Sequence, residues 1–194
     1  MTSSDETLLP PDAKARAAAR VGRSLDPADL AAGVTGETRV GFACAEFNGG
    51  ISDRLLTGAL GELESAGCDL TTTVVAWVAG AFELPLVARA LAGSGRVDAV
   101  VALGAVIRGD TGHYDFVAGE CASGLQRVQL DTGLPVVFGV LTTDTVDQAL
   151  VRSLPDATNK GAEAARTALG TVAVLRGLER LAGVGRVGFT AGGG

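Results

Sequence analysis

From Arg39 onward the chain alternates short runs of apolar, often β-branched residues with longer stretches whose apolar positions recur every three or four residues. Stacked βα units produce that alternation, because each strand is followed by a helix that crosses back over a parallel sheet. The stretch 97–104 constrains the arrangement most. It is an almost unbroken apolar run, as a strand buried on both faces requires, and so predicts a place in the middle of the sheet.

Around this strand the remaining elements fall into order. Residues 39–45 read as the first strand, and after the turn Phe47-Asn48-Gly49-Gly50 the residues Ile51, Leu55, Leu56, Ala59, Leu60 and Leu63 share one helical face that ends at Gly67. Residues 71–77 are β-branched and strand-like. A helix over 83–91 begins through Pro85 in its first turn and stops near Gly93. Beyond 97–104, the spacing of Tyr114, Val117, Cys121, Leu125 and Val128 predicts a helix over 113–131, followed by a strand at 135–141 and helices at 144–152 and 160–181. Four strands with intervening helices make a three-layer α/β/α sandwich of flavodoxin-like type with a parallel sheet.

The ends differ from this body. Residues 1–37 are rich in Ser, Thr, Asp and Ala, are interrupted by Pro10, Pro11 and Pro27, and sustain no apolar period, so they are expected to form a mobile extension with at most a short helix near 13–20. One domain is expected over 38–182, and the glycine-rich tail 183–194 is expected to be disordered. The tail spells GxGxxG at 183–188, but it follows a helix and leaves no room for a further βαβ unit, which is the wrong context for a dinucleotide.

Composition removes several classes of function. A net charge of -6 without a basic cluster disfavours nucleic acid and acidic membrane surfaces. Cys44, Cys68 and Cys121 form no CxxC pair, and no Cys/His constellation suggests a metal. No signal peptide or membrane span is evident, so the expectation is a soluble protein of a reducing cytoplasm without metal or cofactor.

In a doubly wound sheet the ligand lies beyond the carboxyl ends of the strands, which directs attention to the strand exits. These carry Glu46-Phe47-Asn48, Gly80-Ala81-Phe82-Glu83 and Arg108-Gly109-Asp110-Thr111-Gly112-His113, with Phe138 on the last strand. The third exit passes through glycines into a helix whose first N–H groups lack internal partners, a natural seat for a phosphate. Thr111 could add a donor, while Asp110 is expected to turn its carboxylate to solvent and offer its N–H. His113, the only histidine, lies at the helix start, where the dipole favours a neutral ring able to take and give a proton. Read alone, it could equally be a residue capping its own helix.

Aromatic residues are only 4% of the chain, yet Phe47, Phe82 and Phe138 all fall at exits or strand ends, where together they could sandwich a planar heterocycle. Glu83 could bind polyol hydroxyls or simply begin a helix. Lys160 and Arg152 could bring cations to a subunit boundary or stand solvated.

Over 40–181 the sequence resembles the lumazine synthase family. The likeness rests on Phe47-Asn48, Gly80-Ala81-Phe82-Glu83-Leu84-Pro85, 102–109, His113-Tyr114-Asp115-Phe116-Val117-Ala118, 138–145 and Asn159-Lys160-Gly161, occurring in that order. The resemblance implies a transferase of riboflavin biosynthesis that condenses 5-amino-6-(D-ribitylamino)uracil with 3,4-dihydroxy-2-butanone 4-phosphate. It implies Phe47 stacked on the uracil, Ala81, Phe82 and Glu83 on the ribityl chain, and Ala105, Val106 and Ile107 lining the pyrimidine pocket. Phe138 would close the pocket from a neighbouring subunit. Asp110 and Thr111 would hold the phosphate with Arg152 as counter-ion, Lys160 would be accessory, and His113 would move protons.

The family pattern also implies a homo-oligomer, either a pentamer or a shell of pentamers, and admits riboflavin synthase as a partner. The short turn between Arg152 and Lys160 permits a shell. Three positions depart from many family members: Glu46 stands where a basic residue is common, and Ala79 and Gly112 where prolines are. A shell-forming paralogue that binds a flavin-like ligand without turnover is the rival reading.

Overall fold

The structure, a computed structural model, describes residue 9 and residues 12–21, 25–31 and 35–182. The tail 183–194, with its GxGxxG stretch, lies outside the described residues. Two short helices come first, α1 (Ala13–Ala18) and α2 (Pro27–Ala31). There follow β1 (Val40–Ala45), α3 (Gly49–Ser65), β2 (Val74–Val78), α4 (Leu84–Gly93), β3 (Ala99–Ile107), α5 (His113–Thr132), β4 (Val136–Thr143), α6 (Val146–Arg152) and α7 (Lys160–Ala182). All strand pairings are parallel, in the order β2-β1-β3-β4.

The predicted three-layer sandwich is the fold. Every residue of β1, and every residue of β3 except the last, is buried, as expected for strands covered on both faces. Phe42, Val101 and Leu103 point into a core made with α3, α6 and α7, while Ala43, Val100 and Ala102 point into the opposite core made with α4 and α5. The alternation follows from the two-residue period of a strand.

Two boundaries moved for identifiable reasons. The expected strand at 71–77 begins only at Val74, because Asp69 captures the preceding threonines: its Oδ1 accepts from the Thr71 N–H at 2.9 Å and from the Thr71 hydroxyl at 2.7 Å, turning Leu70–Thr72 into a 3-10 helix. The central strand runs past Gly104 to Ile107. Gly104 is no stop; a Cβ there would lie 3.1 Å from the Cβ of Ala45, so glycine permits the close approach of β3 to β1.

Asn48 holds the exits of these two strands together. It occupies the left-handed region at φ 60, and its Nδ2 donates to the Ala105 carbonyl at 2.9 Å. Because β1 is followed by β2 on one side while β3 pairs on the other, this bond spans the point where strand order reverses, where an open α/β sheet leaves a crevice.

Behind the sheet, α3 and α7 meet at glycines. A Cβ on Gly161 would stand 1.9 Å from the Leu55 carbonyl oxygen, and one on Gly58 would stand 2.3 Å from Asn159 Oδ1. Buried Asn159 completes the seam. Its Oδ1 accepts from Gly161 and Ala162 N–H at 2.8 and 3.1 Å, capping α7, and its Nδ2 donates to the carbonyls of Leu154 and Arg54 at 2.9 and 3.3 Å.

Within the stretch expected to be an extension, Asp26 caps α2 by accepting from the Ala28 N–H at 3.0 Å, and Pro27 opens that helix. Helix α2 packs on α7, where Gly170 faces Pro27 and Gly177 faces Leu25 and Leu30. Among the described residues no helix is long and apolar enough to cross a membrane.

Two substitutions test this packing. Gly161→Ala should cost about 3 kcal/mol in chemical denaturation, because its methyl must displace helix backbone rather than a movable side chain; a cost below about 0.5 kcal/mol would show that the seam is loose. Asn48→Ala should cost about 1–2 kcal/mol and Asn48→Gly less, since glycine keeps the left-handed backbone while both lose the bond to Ala105.

Candidate active site

The backbone pairing of β1 and β2 continues beyond both strands. Glu46 N–H donates to the Val78 carbonyl at 2.8 Å and Phe47 N–H to the Ala79 carbonyl at 3.0 Å. This carries Phe47 to the rim of the sheet with 72% of its surface exposed. On the adjacent exit, Ala81–Glu83 form a single 3-10 turn that leads into α4, burying Ala81 and leaving Phe82 outward. Glu83 occupies the position before α4 without a side-chain capping bond.

From β3 come Ala105 and Val106, both buried, and half-buried Ile107. Residues 108–112 then turn into α5. The residue before that helix, Gly112, has φ -67, the value a proline ring would fix, so the departure at this position leaves the turn in a proline-compatible shape. Thr111 Oγ1 accepts from the His113 N–H at 3.4 Å. The threonine, not the histidine, thus interacts with the helix start. Among the described residues the His113 imidazole has no hydrogen-bond partner.

These exits enclose a cavity of about 650 Å³. Of the residues expected from the sequence, Phe47, Ala81, Phe82, Glu83, Ala105, Val106, Ile107, Thr111 and His113 line it. Asp110 lies in the same turn, exposed, but outside the lining. The cavity is apolar over its aromatic and aliphatic wall. At the other end it meets the amino terminus of the 20-residue α5, where the helix dipole favours an anion.

Phe138, Arg152 and Lys160 are not brought to this cavity within one chain. They line a separate recess of about 380 Å³ along the edge strand β4. Register explains the separation for Phe138. It pairs with Ala102, whereas the cavity lies at Ala105–Ile107 farther along β3. Arg152 donates to the Gln148 carbonyl at 2.9 Å, and Lys160 is ion-paired with Glu163.

The third phenylalanine of the cavity is instead Phe116, 72% exposed, which with Tyr114 and Val117 adds the first turn of α5 to the lining. The spacing of three and four residues from His113 to Phe116 and Val117 was a readable signal that they share its helix face. Arg108 also went unassigned. Its Nε donates to Asp144 at 3.0 Å and its Nη2 to Asp115 at 3.3 Å, and its guanidinium lies 4.0 Å from the centroid of the Tyr114 ring. Asp115 first, and then Asp144, stabilise its charged form.

Cys44 and Cys121 lie in the two cores, where burial pushes each thiol up to about 12, so neither supplies a thiolate near neutrality. Among the described residues there is no group of three His, Cys, Asp or Glu side chains arranged to hold a metal ion.

Comparison with known proteins agrees with this geometry. The family described as 6,7-dimethyl-8-ribityllumazine synthase matches residues 37–176. A protein of that name from Edwardsiella ictaluri is 57% identical over 145 residues, covering 74% of this chain and 92% of its own length. Namesakes from Pectobacterium atrosepticum and Yersinia pestis are 53% and 51% identical over 150 and 147 residues, each alignment covering 75% of this chain and 94% of the relative. The matched region holds the whole sheet and every residue of the cavity, and the chain belongs to the 6,7-dimethyl-8-ribityllumazine synthase family.

Proposed function

We propose that the cavity beyond β1, β2 and β3 is the larger part of the site for the family's reaction, and that the β4 recess of a neighbouring copy completes it. The reaction is a condensation in riboflavin biosynthesis. It joins 5-amino-6-(D-ribitylamino)uracil to 3,4-dihydroxy-2-butanone 4-phosphate and yields 6,7-dimethyl-8-ribityllumazine, inorganic phosphate and water. The observation that carries the site assignment is the joining, in one cavity, of an aromatic wall to the start of α5, with His113 among the lining residues.

In this reading Phe47 stacks on the uracil ring, Ala81, Phe82 and Glu83 contact the ribityl chain, and Ala105, Val106 and Ile107 form the pyrimidine pocket. The Asp110 N–H and Thr111 hold the phosphate. Phe138 and Arg152 of the neighbouring copy close the ring pocket and counter the phosphate charge, with Lys160 accessory. Arrangement matters because the pyrimidine amine must reach the ketone carbonyl, and alignment lowers that barrier without any covalent enzyme intermediate. His113 carries protons as the imine forms, as phosphate leaves and as the ring closes. Its unengaged imidazole suits that duty.

Self-assembly is supported by what one copy leaves uncovered. The edge strand β2 exposes Val74, Val75 and Trp77, and Leu86, Phe116 and Leu130 are exposed elsewhere. We place the assembly, a pentamer or a shell of pentamers able to accompany riboflavin synthase, in a reducing cytoplasm. Cysteines that are all free and buried fit that compartment.

Incubation with both substrates should produce lumazine absorbance and phosphate release faster than the spontaneous condensation; no acceleration would sink the assignment. His113→Ala should lower kcat by about ten- to a hundredfold with assembly intact, because alignment persists when the proton carrier is lost. Co-refolding the impaired His113→Ala and Arg152→Ala subunits should restore activity above either alone. Additive behaviour without restoration would show that each site draws on one chain only.

A further inference from the structure

Arg108 stands at the junction of β3 and α5, with its side chain 44% exposed and outside the cavity, although its neighbours Ile107 and Gly109 both line it. Its main chain is fixed to the exit of β4 by a bond from its N–H to the Thr143 carbonyl at 2.9 Å. Its side chain reaches in two further directions. Nε donates to Asp144 at 3.0 Å, and Nη2 and Nη1 donate to the two oxygens of Asp115 at 3.3 and 3.5 Å. The guanidinium also lies over the Tyr114 ring at 4.0 Å, and that ring is part of the cavity wall.

Exposed ion pairs of this kind add little to global stability. What this set does is local: it ties the first turn of α5 to the end of β4, across the turn 109–112. A planar fork is required, because one group must engage two carboxylates and stack on a ring, which a lysine ammonium cannot do. The guanidinium also offsets the charge of Asp115 and Asp144 beside the turn 109–112.

We propose that Arg108 is a positioning residue for the phosphate-bearing substrate: by clamping Asp144 and Asp115 and stacking on Tyr114, it sets the turn 109–112 and the orientation of His113 without touching substrate. The assignment rests on the reading that this turn receives the phosphate. It predicts a selective kinetic effect. In steady-state assays of the assembled protein, Arg108→Ala should raise KM for the four-carbon ketose phosphate about tenfold or more and lower kcat, with KM for the pyrimidine within about twofold of the parent.

Arg108→Lys should recover little of this loss. Asp144→Asn, at a residue that does not line the cavity, should show a smaller shift of the same selectivity, and its effect should not add to that of Arg108→Ala. Thermal midpoints should stay near the parent value in all three. An unchanged ketose-phosphate KM in Arg108→Ala would overturn the proposal, as would full rescue by lysine or an equal rise in both KM values with a lowered midpoint. Thr111→Val separates the two levels of inference. If it raises the ketose-phosphate KM while Arg108→Ala does not, only the role of Arg108 fails; if neither raises it, the turn is not the phosphate seat.

Discussion

The site depends on the pairing of β1 with β3, two strands buried on both faces and held so close that glycine is needed at position 104. Their pairing places the exits at 46–48 and 105–107 side by side, and Asn48 fastens one to the other. The next strand in sequence after β1 lies on its far side, so no chain crosses the crevice above this pair. A cavity there follows from strand order. The identity of the ligand does not; that is decided by the side chains the exits carry.

Those side chains divide the work by polarity. The aromatic and aliphatic wall comes from strand exits and the turn before α4, where rigid backbone holds flat surfaces. The proposed anion seat is a helix start, where the dipole favours negative charge. Cationic groups are instead held away: Arg152 is bonded to its own helix, Lys160 to Glu163, and Arg108 to two carboxylates. Arg152 and Lys160 line the recess on β4, which on the proposed reading would supply a counter-charge from a neighbouring copy.

Much of this was legible in the residues because the signals were local. Unbroken apolar runs marked the interior strands, and the three-to-four spacing marked the helices that cover them. Gly109 and Gly112 around Thr111, just before a helical period, marked the turn that leads into α5. Elsewhere a local signal was ambiguous or the decisive contact was distant. Thr71, Thr72 and Thr73 have strand propensity, but Asp69 competes for the first of them through its own hydrogen bonds. Phe138 looked convergent with Phe47 and Phe82, yet its height along the sheet depends on the register of β4 against β3. The partners of Arg108 lie seven and 36 residues away, and no periodicity relates them.

The wide exposure of Phe47, Phe82 and Phe116 bears on how such a site can function. Stacking on a heterocycle gains most when water is excluded from both ring faces, and a rim open to solvent shields only one. Within one chain Phe138, on the edge strand β4, and Arg152, at the end of α6, line a separate recess and leave this rim open. On the proposal that a second copy completes the site, its contact would cover the exposed rim and bring a cation to it without any moving lid. Burial of surface that would otherwise promote nonspecific association and completion of the reactive enclosure would then be the same event. In this arrangement assembly is a condition of alignment, and alignment is the principal means by which a condensation between two bound substrates is accelerated.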